Sequence, residues 1–492
     1  MAKASSGSKQ TNHWIILIVV ALAQFMVILD VSIVNVALPS IQHAFHMTNE
    51  TLQWIVTIYT LMFGGFLLLG GRAADLFGRR KMFLIGVALF SLASLVDGLA
   101  HSGSILIISR GLQGLSGAIL SPAALSIILV TYKEGHERNV ALSVWGAVAS
   151  GGAAAGVLLG GIITQYFGWR WNFFVNVPIG IFVFYMATRL LPSHESTVDH
   201  SDLDLFGAIT ATAGLITLVY ALVKAPTLGW TSTTSITYFG ISIILLLAFL
   251  YNESRVKHPL VPLGIFRIRN LSGANLLQLC MAAALFSVFF FTTIYLQEIL
   301  GFSPIRTGLS FLIIPIIIGI AATNVPRIIQ KVGYRPILIV APLIVSAGLF
   351  WLSFIPVNGN YWTDVAPGLA LLGLGMGMTF VSVTIAATSG VPKHEAGLAS
   401  GILNTSQQIG GSIGLAVLTG IATSSTANYL KNQNLHMMPS QEMIAQSVVH
   451  GFQNGYLVAS TFGVAASLIA VFVIHQAKVK KTHSSSEAVA IV

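Results

Sequence analysis

Gly71-Arg72-Ala73-Ala74-Asp75-Leu76-Phe77-Gly78-Arg79-Arg80-Lys81 is a charged island between two apolar runs, read as 51–71 and 82–100. The first run carries no charged side chain and the second only Asp97. Each is long enough to cross the hydrocarbon core of a bilayer as a helix, which takes about 20 apolar residues. The same composition extends along the chain: 55% of the 492 residues are hydrophobic and 8% charged, with mean hydropathy +0.82. A soluble domain carries about a quarter charged residues, so this chain cannot cover a water-facing surface. An all-α polytopic membrane protein is expected.

Reading outward from the island gives fourteen segments of membrane-crossing length, at 14–38, 51–71, 82–100, 104–131, 139–164, 170–191, 204–224, 235–252, 271–300, 306–330, 335–355, 363–388, 396–422 and 453–476. An even number of crossings puts both termini on one side. Of the 25 Lys and Arg residues, only Arg110, Arg170, Lys224, Arg306 and Lys431 lie away from that side. Positive loops stay in the cytoplasm, so both termini are expected there, in a multi-pass protein of the inner (plasma) membrane. The net charge of +9 is spread over many loops, and no basic surface interleaved with aromatics points to nucleic acid. The first segment is longer than a signal-peptide core and ends at Leu38 and Pro39 without a small-residue cleavage site, so it is expected to be retained. The single Cys280 excludes an intramolecular disulfide and a cysteine metal cluster, and reads as a small core residue.

Shifted by 255 positions, the chain partly repeats itself: Arg72–Gly78 falls on Arg327–Gly333, Arg80 on Arg335, and Ala141–Gly146 on Ala396–Gly401. Two six-helix halves follow, 1–195 and 266–492, with two inserted helices and their connectors at 196–265. Duplicated halves are a common way to build a central transport site at their interface. Asp75 becomes Gln330 and Arg79 becomes Tyr334, so the halves are expected to differ in task. The loops at 192–203 and 252–270 read as cytoplasmic connectors, and 423–452 as the one long outer loop.

Several motifs lie on this frame. They are the charged island itself, Leu29, Asp30, Ser32, Asn35, Ala37, Leu38 and Pro39 in the first segment, and Arg110, Gly111, Gln113 and Gly114 in the fourth. Trp169, Arg170, Trp171, Phe173, Asn176, Pro178 and Gly180 open the sixth, and Leu296, Gln297, Gly301, Ser303, Pro304 and Gly308 join the ninth to the tenth. Together they resemble the major facilitator superfamily along nearly the whole chain, most closely its 14-helix drug:proton antiporter branch. The resemblance implies a major-facilitator fold and a secondary transporter. Two departures stand out. That branch's Gly-Pro-x-x-Gly-Gly is Gly156-Val157-Leu158-Leu159-Gly160-Gly161, and Gly64 and Gly65 stand near where a proline is common in the second segment.

An ionisable side chain inside a membrane helix is costly and points to function. Asp30 lies eight residues before Leu38, about 12 Å below the outer end of its helix at 1.5 Å per residue. Arg110 lies at a comparable depth in the fourth segment, which the resemblance places beside the first. Asp30 and Arg110 are expected to couple transport to protons, because protonation removes the Asp30 charge and releases Arg110. A permanent ion pair fixing two helices is the alternative. Glu50, Asp97, Glu298 and Asp364 fall near outer helix ends and read as solvated, leaving Asp30 as the one deeply placed acid.

Asp75 with Arg72, Arg79 and Arg80 is expected to govern a cytoplasmic gate, the carboxylate accepting from a helix N-terminus of the opposite half. Topology alone explains part of Arg79, Arg80 and Lys81. Gly152, Gly156 and Gly160, spaced by four, make a smooth helix face, expected where moving halves slide. Candidate substrate contacts are Phe25, Trp54, Tyr59, Asn275, Gln278, Asn404 and Gln408, although interhelical bonding would explain most of them.

These readings converge on an exporter of lipophilic drugs or organic cations driven by protons. No Gly-Lys-Ser/Thr phosphate loop occurs, so an ion gradient is the expected energy source, with no cofactor and no metal. The expected partners are small lipophilic or cationic substrates, protons and membrane lipids, and the protein is expected to be a monomer. Export of one metabolite or lipid is the alternative, as is a lipid scramblase or sensor without coupling. An integral-membrane enzyme is not expected, since neither a nucleophile with a base nor a metal-spaced cluster occurs.

Overall fold

The computed structural model describes residues 13–132, 135–191, 204–392, 395–433 and 440–476. Among these residues every regular element is helical, and fourteen helices are long and apolar enough to cross a membrane. In chain order they are α1 (His13–Phe45), α2 (Asn49–Phe77), α3 (Arg79–Leu99), α4 (Gly103–Thr131), α5 (His136–Tyr166), α6 (Trp171–Leu190) and α7 (Leu205–Leu228). Then follow α8 (Thr233–Arg255), α9 (Arg269–Ile299), α10 (Pro304–Val332), α11 (Tyr334–Leu352), α12 (Tyr361–Thr388), α13 (Ala396–Asn432) and α14 (Gln441–Phe472). We call the membrane face that holds His13 proximal and the opposite face distal.

The charged island forms the proximal corner between α2 and α3. Gly78 takes φ 95°, a region L side chains rarely adopt, and this one residue turns the chain from helix to helix. Gly333 takes φ 83° at the matching corner between α10 and α11. The likeness extends to side chains: Arg80 Nη2 donates to the Thr188 carbonyl in the last turn of α6, and Arg335 Nη2 to the Val471 carbonyl in the last turn of α14, both at 2.7 Å. Cations suit those positions, because the final carbonyls of a helix lack partners and carry the negative end of its dipole.

Met26, Phe83, Phe90 and Leu120 centre the apolar core of α1–α6, while Leu277, Phe291, Leu349 and Tyr456 belong to a core of α9–α14. That second core runs on through Leu38, Ile41, Leu52 and Val157, so the two groups are fused near the distal face. Inserted α7 packs Leu215, Val219 and Val223 against Leu61 of α2 and Ala416 of α13. Outside it lies α8, joined through Ser242 Oγ to the Gly214 carbonyl at 2.9 Å.

Where α5 meets α10, the Val157 carbonyl abuts Gly308 so closely that a Cβ there would clash. Eleven residues toward the proximal face, Gly146 on α5 and Gly319 on α10 lie on the same helix faces and have nothing within 4 Å. Over about 16 Å of helix rise the two helices part. The distal side is shut: Gln297 Nε2 donates to the Val36 carbonyl at 2.9 Å, and His43 Nε2 lies 2.9 Å from Glu298 Oε1. Between α2 and α13 the hydroxyls of Thr60 and Ser412 are 2.6 Å apart. The halves are therefore closed together distally and part proximally between α5 and α10.

Three expectations are corrected. Pro39 does not end α1, which runs on to Phe45 with Pro39 buried inside it, because neighbouring helices can satisfy the backbone groups a proline frees. The outer loop expected over 423–452 is largely helix: α13 reaches Asn432, and Ser440 Oγ caps α14 by accepting from Met443 N at 3.2 Å. Hydropathy ends with the bilayer, whereas helix propensity and capping continue beyond it. Gly152, Gly156 and Gly160 pack on α1 of their own half, against Ile28, Ser32 and Ile33, and the contact between halves is one face round, at Val157 and Gly161. The connector expected at 192–203 lies outside the described residues, and 252–270 holds the end of α8 and a short 3₁₀ turn, Leu263–Arg267.

Candidate functional site

Asp30, midway along α1, has no exposed surface, and Arg110 on α4 is 1% exposed. Ser102 starts α4 by accepting from Ile105 N at 3.3 Å, which sets Arg110 two turns deep. Arg110 Nη1 donates to Asp30 Oδ2, so the expected pair meets. Asp30 Oδ1 accepts from Gln113 Nε2 at 2.8 Å and from Asn176 Nδ2 of α6 at 2.9 Å. Gln113 Oε1 in turn accepts from Arg110 Nη1 at 2.5 Å. Ser94 Oγ of α3 accepts from Gln113 Nε2 at 2.5 Å and from Asn176 Nδ2 at 3.1 Å.

From α2 come the Ile55 carbonyl, which accepts from Arg110 Nε at 3.2 Å, and the Tyr59 ring, 4.4 Å from the guanidinium carbon. A charge pair survives away from water only when its remaining donors and acceptors are met, and this one is held by five helices. A proton taken up at this one carboxylate would remove its charge, and the loss would be felt on every helix that touches it.

Asp97 corrects the expectation of a solvated acid. It is fully buried, because Phe174 covers the end of α3 over Gly98. Its Oδ1 lies 2.5 Å from Ser109 Oγ, and its Oδ2 has no hydrogen-bond partner. The other distal acids have surface partners: Glu50 lies 3.4 Å from Lys224 Nζ, Glu298 meets His43, and Asp364 Oδ2 accepts from Asn360 N at 2.7 Å. Asp30 is thus one of several buried acids, with Asp97 beside it and Glu253 near the proximal end of α8, where Oε2 accepts from Val261 N at 3.0 Å.

The family profile that matches is that of the Major Facilitator Superfamily, over residues 20–415. The chain belongs to this superfamily. It is 38% identical over 463 residues to the puromycin resistance protein pur8 of Streptomyces alboniger, covering 93% of this chain and 90% of that one. To the cephamycin export protein CmcT of Amycolatopsis lactamdurans it is 36% identical over 431 residues, covering 87% and 88%. In fold it is similar to the POT family transporter PepTSo, with a TM-score of 0.66 at 14% identity over 93% of this chain and 98% of that one. A bacterial homolog of the human lysosomal transporter Spinster, inward-facing and unoccupied, superposes with a TM-score of 0.65 at 15% identity over 94% and 97%. This major-facilitator protein is a membrane transporter and not an enzyme, and its fourteen-helix fold is the one expected.

The remaining candidates of this superfamily member separate by position. Asp75 is exposed and pairs with Arg79 one turn on, at 3.5 Å, within its own half. Arg80 is engaged at the Thr188 carbonyl, and Arg72 is half-buried at the same end of α2. Among the seven candidate substrate contacts Asn404 alone is exposed. It lies on the arc of α13 between the side meeting α2 at Gly401 and Thr405 and the side meeting α9 at Ser406 and Gly410, facing the open space between halves.

Gln408 packs on Gly64 of α2, and Asn275 is spent on structure, its Nδ2 donating to the Leu271 carbonyl and its Oδ1 accepting from Ser406 Oγ, both at 2.8 Å. Gln278 is buried with Oε1 unpartnered. Trp54 packs on Tyr220 of inserted α7 at 6.2 Å, Phe25 lies at the contact of α1 with α5, and Tyr59 is buried under Arg110. Sequence reasoning gave no role to Gln113, Asn176 or Ser94. Gln113 carried a signal, since three residues separate it from Arg110 on one helix face.

Proposed function

We propose that the protein exports lipophilic drugs or organic cations in exchange for protons, with Asp30 and Arg110 as the coupling pair. One observation carries this reading: a carboxylate at mid-membrane, without exposed surface, held by one cation and two amides. Protonation turns it into a neutral acid, and bonds to a neutral acceptor are roughly half as strong as those to an anion. Arg110, Gln113 and Asn176 then hold α1 less firmly to α4 and α6, which lets the half change its packing. The names of the relatives, a resistance protein and an export protein, support drug-like cargo. Each is named for a single compound, which favours a second reading, a dedicated exporter of one metabolite.

The excess of Lys and Arg on the proximal face supports a cytoplasmic position for that face and for both termini, in the plasma membrane. On that placement the open side is the loading side of an exporter. Asp75 serves as the cytoplasmic gate, exchanging Arg79 for the opposite half when the proximal side closes. The protein works as a monomer surrounded by lipid.

Vesicles with an imposed pH gradient test the coupling. Asp30→Asn is expected to abolish gradient-driven efflux while the protein stays folded, because the amide keeps the shape and exchanges no proton. Unchanged efflux would sink the role of Asp30. Arg110→Ala is expected to lose coupling as well, and Arg110→Lys to restore it only partly, since an ammonium lacks the planar fork.

A further inference from the structure

We infer that Asp97 is a second proton site of this cluster, protonated in the state seen, and that it replaces Asp30 as the counter-ion of Arg110 when Asp30 takes a proton. The inference rests on the reading of Asp30 as the coupling carboxyl. Charge is the first argument. Asp30 and Asp97 both have no exposed surface, and Arg110 is the one buried Lys or Arg among the described residues. The charged and titratable groups facing Asp97 are Arg110 of α4, Asp30 of α1 and Tyr59 of α2, with Asn176 and Phe174 from α6 adding no charge. Arg170 is turned to the end of the helix, where Nη2 donates to the Ala100 carbonyl at 2.9 Å. Two carboxylates against one guanidinium would leave a net negative charge away from water, so one of them carries a proton. Asp30, with three donors aimed at it, is the carboxylate.

Hydrogen count is the second argument. Ser109 Oγ has one hydrogen and lies 2.8 Å from the Ile105 carbonyl and 2.5 Å from Asp97 Oδ1. When that hydrogen goes to Ile105, the Asp97 oxygen must donate, which takes a carboxylic acid. The unpartnered Asp97 Oδ2 points the same way, since a buried anion without a second donor is the costlier arrangement. In the direction of proton influx, Asp97 takes a proton from the distal side as Asp30 releases one proximally. One cation, one carboxylate and one carboxylic acid remain throughout, and the cluster never carries a net charge.

Infrared spectra of the full chain in vesicles, with carbon-13 in the aspartate carboxyls, read protonated acids directly. Wild type at neutral pH is expected to show an isotope-sensitive band from a buried protonated carboxyl, and Asp97→Asn to lose it. Asp30→Asn is expected to lose it too, because Asp97 must then ionise to balance Arg110. A band that survives Asp30→Asn marks a fixed neutral acid and overturns the inference, as does its absence from wild type or its persistence in Asp97→Asn. Substrate-triggered proton release gives a second readout: Asp97→Asn should move its midpoint down by about one pH unit, tenfold weaker proton binding at Asp30, and an unmoved midpoint counts against the site. If Asp97→Asn fails to fold, the wild-type and Asp30→Asn bands decide alone. Efflux that persists in Asp30→Asn while the band disappears would reject the coupling reading and leave the second proton site standing.

Discussion

Gln113 shows how tightly the cluster is wired at the scale of single residues. Its amide accepts from Arg110 and donates to both Asp30 and Ser94, so removing it takes one bond from each of three buried groups, two of them charged. A hydrogen bond to a charged group contributes about 1.5–3 kcal/mol. Gln113→Leu is expected to lower stability by at least that much, read as a drop in thermal unfolding temperature in detergent. An unchanged midpoint would mean that the amide is a bystander. Asp30 and Arg110 were legible in the chain because charges inside apolar runs are few and conspicuous. Asp97 was not, since three residues from a helix end the same hydropathy fits water or a neighbouring helix equally well.

Among the elements, the pairing of α5 with α10 decides which side is closed. The two backbones meet only because Gly308 presents no side chain to the Val157 carbonyl. Gly308→Val is expected to force the helices apart at the distal face and shift the population toward a distal-open state. Spin labels placed across the distal ends of α5 and α10 should report longer distances, and an unaltered distribution would refute the contact as the closing element. The glycine corner at Gly78 could be read in the sequence from its repeat at Gly333, because a positive φ makes glycine obligatory in both. The face used by Gly152, Gly156 and Gly160 could not, since a small-residue stripe says that something packs closely and leaves the partner open.

For the molecule as a whole, the proximal opening bears on Asp75. In the open state it is exposed and held only one turn away, by Arg79. If it bonds to the opposite half on closure, Asp75→Asn loses a charge-assisted bond worth about 1.5–3 kcal/mol, a shift of more than tenfold toward the open state at about 1.4 kcal/mol per decade. Binding from the proximal side should then survive while turnover falls. Spin-label distances across the proximal loops measure this directly, and a mutant that closes as often as wild type would remove Asp75 from the gate.

Fourteen crossings and the duplicated corners follow from the sequence alone, because each depends on sums over about 20 neighbouring residues or on the residues of one short loop. Tertiary structure alone decided that Asn176 reaches Asp30 across 146 positions and that Asp97 lies inside the bundle. It also decided that Trp54 packs on Tyr220 of α7. Those outcomes depend on how each helix is rotated about its axis and on which neighbour covers its end. Both are settled by packing between segments distant in the chain, and such packing leaves no periodic trace in either segment.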